Sequence, residues 1–206
     1  MLLEFVSLRL PIVLLLVVAA AAPLTGCAKG NGEGDQGEGA LPTLAAPAPS
    51  AGKERSVPGI LDRSHAGTPA PAFSFEDPKG QPTSMAAFRG RPVLVNLWAT
   101  WCAPCVIEMP SLDALAQREG EALEVLTLAQ DLDGRALVTR FFGERDFRAI
   151  EPYLDPQMQF MTSLKLGTLP TTILYDSEGK EVWRMVGRAE WESDRVARLL
   201  DEAEGG

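Results

Sequence analysis

Apolar residues recur along the later part of this chain in two rhythms, and each change of rhythm marks an element. Val93, Leu94, Val95 and Leu97 run almost unbroken, with Asn96 as the polar interruption, the pattern of a buried strand. Leu123 to Ala129 repeats it. Thr171 to Tyr175 and Glu181 to Val186 follow as two strands joined by Asp176-Ser177-Glu178-Gly179, a hairpin turn. Between them the spacing becomes helical. Leu112, Leu115 and Ala116 share one face and predict a helix from about Cys102 to about Glu119, with Pro110 inside it. Leu137, Val138, Phe141 and Phe142 mark a second helix, Gln157 to Leu166 a third, and Val196, Leu199, Leu200 and Ala203 a closing one. Upstream, Phe73-Ser74-Phe75 alternates, Asp77-Pro78-Lys79-Gly80 supplies a turn and Thr83 to Met85 returns, which predicts an N-terminal hairpin. Tyr153-Leu154, ahead of Asp155-Pro156, predicts a short extra strand. The order is β-α-β-α-(β-α)-β-β-α behind a hairpin, an α/β domain, and no internal repeat is visible.

The first part of the chain reads differently. Leu10 to Cys27 carries no charge, and about eighteen such residues lie at the lower limit for spanning a bilayer. The run ends in Leu24-Thr25-Gly26-Cys27, which resembles the lipobox of bacterial lipoproteins, where the cysteine is lipidated and becomes the first residue after cleavage. An uncleaved transmembrane anchor is the alternative, because Arg9 is offset by Glu4 where a signal peptide should be basic. Either reading tethers the domain to a membrane on the extracytoplasmic (periplasmic) side. Ala28 to about Gly67 is Gly, Pro, Ala and Ser with scattered charge, too poor in apolar residues to order itself, and reads as a linker. Some forty flexible residues reach roughly 35 Å. The division is therefore an anchor over 1–27, a linker over 28–67 and a domain over 68–206; His65, in the linker, receives no role.

Charge and composition narrow the chemistry. A net charge of −9 argues against nucleic acid, which calls for basic patches. Three cysteines and one histidine leave few carriers for a reaction. Cys102 and Cys105 flank Ala103-Pro104 where the strand pattern gives way to the helix. Proline is tolerated in a first helical turn, whose N–H groups lack partners. Two cysteines three apart there face the same way and can close a small disulfide ring. The helix N-terminus favours a thiolate, so Cys102 is the better nucleophile and Cys105 the better resolving thiol. Half of a zinc site is the competing reading, but four ligands are needed, and Cys27 and His65 lie outside the domain. A c-type haem site would need histidine where Val106 stands.

Trp101-Cys102-Ala103-Pro104-Cys105, followed by Glu108 and Pro110, resembles the active site of the thioredoxin superfamily. VNLWATWCAPC with the following E-x-P is similar to its TlpA/ResA-like branch of membrane-anchored thiol–disulfide oxidoreductases, from about Pro69 to the C-terminus. The resemblance implies a thioredoxin fold with an N-terminal β-hairpin, a central βα insertion and a mixed central sheet flanked by helices. It implies that Pro170, in Thr168-Leu169-Pro170-Thr171, is cis and packs against the cysteines, and that Leu169 binds substrate backbone as an added strand. Asn96 stands where many thioredoxins carry a proton-shuttling aspartate, and an amide cannot fill that role. Glu108 lies one turn after Cys105 on the same face; spacing alone leaves it between a solvated glutamate and a functional one, and the resemblance favours function. Trp101 is expected to cover the thiols and offer an apolar docking surface, while Trp98 is expected in the core. Gly187-Arg188-Ala189-Glu190-Trp191 is also similar to a stretch in this branch, and packing is the role assigned to it.

The activity implied is reduction of disulfides in protein substrates, on apocytochrome c or copper-site assembly proteins, with a membrane electron donor of the DsbD/CcdA kind and no cofactor or metal. Two alternatives stay beside it. A thiol peroxidase of the peroxiredoxin class needs proline and threonine at a fixed spacing that Pro92 and Thr100 do not provide around Cys102. A copper carrier could use Cys102 and Cys105, since copper(I) suits thiolates, but the expected distal histidine is missing from the domain.

Overall fold

Side chains on successive residues of a strand point to opposite faces of the sheet, so a strand covered on both sides shows no alternation in its sequence. That is the situation of the Val93 run. The computed structural model describes residues 59–203. In it the first strands are β1 (Ile60–Asp62), β2 (Phe75–Glu76), β3 (Pro82–Thr83), β4 (Val93–Trp98) and β5 (Glu124–Ala129), with helix α1 (Ala103–Glu119) between the last two. Helix α2 (Arg135–Gly143), β6 (Tyr153–Leu154) and α3 (Gln159–Ser163) follow, then β7 (Thr171–Tyr175), β8 (Glu181–Val186) and α4 (Asp194–Leu200). The strands form one mixed sheet in the order β1-β8-β7-β4-β5-β6-β2-β3. At its centre β4 pairs in parallel with β5 and antiparallel with β7.

All six residues of β4 are buried. Val93, Val95 and Leu97 turn to the face where Leu126, Leu128, Ile173, Phe75 and Phe160 of α3 pack. Leu94 and Trp98 turn to the other, with Met109, Leu112 and Leu115 of α1, Val138 and Phe141 of α2, and Val196 and Leu199 of α4. Burying each such large side chain contributes roughly 1.5–3 kcal/mol, which fixes the register strongly because a slip by one residue would exchange the two faces. These comparisons of face and order bear out the fold class expected from the sequence. Among the described residues, no helix is long and apolar enough to cross a membrane.

Three expectations change. The linker drawn over 28–67 ends earlier, because residues 59–67 belong to the fold. Ile60 pairs with Val186 and Asp62 with Arg184, and Gly67 N–H donates to the Glu181 carbonyl. Ile60 is 71 % exposed, and Leu61 alone of the three packs on the core. A strand held by its ladder leaves little hydrophobic trace. The rest of the linker, and the anchor over 1–27 with Cys27, lie outside the described residues. The third helix is shorter than Gln157 to Leu166, since Met158 and Lys165, with φ of 51° and 53°, break it at both ends. The returning strand of the N-terminal hairpin is only Pro82–Thr83, followed by a 3-10 turn over Met85–Phe88. That hairpin joins the main sheet through Glu76 opposite Leu154.

The loop between α2 and β6 is tied down by one side chain. Asp113 of α1 accepts hydrogen bonds from three consecutive backbone N–H groups, those of Arg148, Ala149 and Ile150, at 2.9, 2.8 and 3.1 Å. Gln117 donates to its other oxygen at 2.7 Å.

Candidate active site

Where β4 ends, the chain makes a tight turn before it becomes α1. The Cys102 N–H donates to the Ala99 carbonyl at 3.1 Å. Asp131, just past the end of the neighbouring β5 and 1 % exposed, accepts from Thr100 twice, from its N–H at 3.1 Å and its hydroxyl at 2.6 Å. The turn is therefore held by a buried carboxylate, which the sequence reading missed. Cys102 is the N-cap of α1, and Pro104 occupies its first turn, where a missing N–H costs nothing.

The two cysteines form a disulfide, with S–S 2.05 Å and Cα–Cα 5.3 Å. Cys102 is 5 % exposed and Cys105 0 %, so an external sulfur meets Cys102 first, in keeping with the helix-dipole argument for the nucleophile. Trp101 stands 66 % exposed beside them and lines an open groove of about 310 Å³ with Thr100, Leu137, Arg140 and Phe141. Trp98 is fully buried. The Leu169–Pro170 bond is cis. Thr171 pairs with Leu97, which sets the cis bond at the end of β4 from which the cysteines rise.

Glu108 is the second unusual group. Three residues after Cys105 on the same helix, it is 1 % exposed and lies over the middle of the sheet. There the register aligns three polar side chains in a row: Thr127 is level with Asn96, and Asn96 is level with Thr172. Asn96 Nδ2 donates to Glu108 Oε1 at 2.9 Å and to the Thr172 hydroxyl at 2.9 Å. Glu108 Oε2 accepts from the Ala189 N–H at 3.3 Å and from Trp191 Nε1 at 3.2 Å. Burial pushes the Glu108 carboxyl up to about 7, against the opposing pull of these hydrogen bonds and of the Arg188 charge.

Cys102, Cys105, Glu108, Trp101, Leu169 and Pro170 thus gather at one end and the adjoining interior of β4. The hydrogen bonds of Glu108 go to Asn96, Ala189 and Trp191, so the Gly187–Trp191 stretch, read from sequence as packing, is one wall of the carboxyl site. Asn96, read as an empty position, donates to that carboxyl. The arrangement joins a dithiol–disulfide couple of unequal exposure to a group that gains or loses a proton near neutral pH.

Comparison with known proteins finds thiol-disulfide oxidoreductases among the relatives of this chain. The chain is 35 % identical over 117 residues to the thiol-disulfide oxidoreductase ResA of Geobacillus thermodenitrificans, across 55 % of this chain and 65 % of that protein. Its identity to ResA of Bacillus cereus is 30 % over 122 residues, across 59 % of this chain and 69 % of the relative. The chain therefore spans about two thirds of the length of these relatives. The fold matches that of the pneumococcal exposed lipoprotein thioredoxin from Streptococcus pneumoniae with a TM-score of 0.57 and 24 % identity, covering 64 % of this chain and 99 % of that one. The Redoxin family profile matches residues 65–200, and the chain belongs to the Redoxin family, with ResA thiol-disulfide oxidoreductases as its relatives.

Proposed function

We propose that this protein is a membrane-tethered, extracytoplasmic thiol–disulfide oxidoreductase that reduces disulfides in protein substrates. The observation that carries the reading is the Cys102–Cys105 disulfide at the start of α1, with Cys102 slightly exposed and Cys105 wholly buried, and the buried Glu108 carboxyl one turn further on. In the reduced protein, the Cys102 thiolate attacks a sulfur of the target disulfide. A mixed disulfide forms, and the expelled target thiolate takes a proton. Cys105 then gives its proton to Glu108 and attacks the Cys102 sulfur, expelling the second target sulfur as a thiolate, which takes the proton back from Glu108 and leaves as a thiol. Two electrons have passed to the target, and the Cys102–Cys105 disulfide is restored.

Trp101 and its groove suit docking of an apolar polypeptide segment, and Leu169 beside the cis-proline suits main-chain pairing with it. A membrane dithiol donor of the DsbD/CcdA kind would return the two electrons, and apocytochrome c or copper-site assembly proteins are the targets we propose, as the motif resemblance to the TlpA/ResA-like branch implies. The tether would be a lipid on Cys27 or an uncleaved helix before it.

Replacing the resolving thiol tests the order of events. Cys105→Ala should accumulate mixed disulfides between Cys102 and targets, seen on non-reducing gels of protein isolated from cells and lost on adding reductant. Cys102→Ala should accumulate none. Trapping by Cys102→Ala alone would reverse the two roles, and trapping by neither would remove the dithiol reading.

A further inference from the structure

The wall built by Gly187–Trp191 does more than hold Glu108 in place. An ionised carboxylate offers about four lone-pair sites, two on each oxygen. On Glu108, Oε2 receives the Ala189 N–H and the Trp191 indole N–H. A backbone amide and an indole are donors only, so neither can turn round to accept a proton from that oxygen. Oε1 receives only the Asn96 amide, which leaves it a free site.

We propose that Trp191 is a positioning residue for the resolving step: together with the Ala189 N–H it fills Oε2, so that the proton leaving Cys105 is taken on Oε1, the oxygen turned toward Asn96 and β4. The assignment rests on Glu108 being the proton acceptor, as proposed above, and adds which oxygen acts and what makes it act. Trp191 is wholly buried and 83 residues from Glu108 in sequence, and its indole N–H is given to this carboxyl. The ring also packs in the core between the sheet and α4, so a change in stability alone would not separate a positioning role from a packing one. The charge on Glu108 does separate them.

The groups facing Glu108 are few. Arg188 from the same loop is the charged side chain acting on it, β4 and β7 present the neutral Asn96 and Thr172, and α1 itself carries Cys102 and Cys105, which do not titrate while the disulfide is closed. A carboxyl carbon-13 titration of the oxidised protein, with the Glu108 signal identified by its loss in Glu108→Gln, therefore reads Glu108 without interference from the thiols. Trp191→Phe removes a donor to the charged form and should move the midpoint upward by roughly one pH unit. In the unaltered protein, the indole N–H resonance of Trp191 should titrate with the same midpoint as the carboxyl and lose that titration in Glu108→Gln; this holds the proposal to account even if the phenylalanine variant does not fold. An unchanged or lowered midpoint in Trp191→Phe, or an indole signal that is flat through the Glu108 titration, would overturn it. Mixed-disulfide decay in the reduced protein is a separate readout: if Glu108→Gln leaves decay unchanged, the acceptor role falls, whatever the titration gives.

Discussion

At residue scale, a carboxyl held near neutrality by burial makes stability depend on pH in an unusual direction. The ordinary glutamate value is 4.5, and Glu108 in the fold is pushed up to about 7. Between these values the folded protein binds the extra proton and the unfolded chain does not, so this contribution is complete below about 4.5 and is lost as pH rises toward about 7. The full difference is on the order of 3 kcal/mol. Denaturant midpoints of the oxidised protein, taken at about pH 5 and about pH 8, should therefore separate more in the natural protein than in Glu108→Gln, which has no proton to lose. Equal separations would mean that Glu108 is ionised in the fold throughout. The sequence pointed to this residue because three positions on a helix put it beneath Cys105. It could not point to Thr172, Ala189 or Trp191, whose approach to Glu108 or Asn96 is made by the register of the sheet and the loop after β8.

At the scale of elements, Asp113 does for the loop between α2 and β6 what burial does for the central strands. Its Oδ1 gathers three successive N–H groups that belong to no helix or strand. Asp113→Ala would leave those donors in a part-buried site, and each orphaned donor costs roughly 1–3 kcal/mol. The expected loss is about 3 kcal/mol of stability, with amide exchange accelerated at Arg148 to Ile150, while Gln117→Ala should cost less than about 1 kcal/mol. A variant that keeps slow exchange at those three amides would show that they have another partner. The contrast explains which elements were legible. Strands β4 and β5 announce themselves by apolar runs because both faces of the sheet are covered, and β7 and β8 by the turn residues that join them. Helix α3 was overdrawn because its ends are set by left-handed backbone at Met158 and Lys165, residues with no special claim to that conformation. Strand β1 escaped notice because Ile60-Leu61-Asp62 is too short a run to show a period, and only its pairing with β8 identifies it as a strand.

For the whole molecule, that strand decides where the domain begins. A protein started at Thr68, the boundary drawn from composition, would lack β1 and leave β8 as an unpaired edge. One started at Gly59 would retain it. The shorter form should be less stable by on the order of 2 kcal/mol, from the lost ladder bonds, and should self-associate more readily in sedimentation; equal midpoints for the two would make β1 an ornament of the edge. Gly59 itself is pressed against the fold. A side chain there would meet the Gly187 and Arg188 carbonyls at 2.9 Å, and its N–H donates to the Arg188 carbonyl at 2.7 Å. The next residue along that loop, Ala189, is the one whose N–H grips Glu108. One loop therefore does two jobs in consecutive residues: Arg188 receives the chain where the domain begins, and Ala189 holds the carboxyl at its centre.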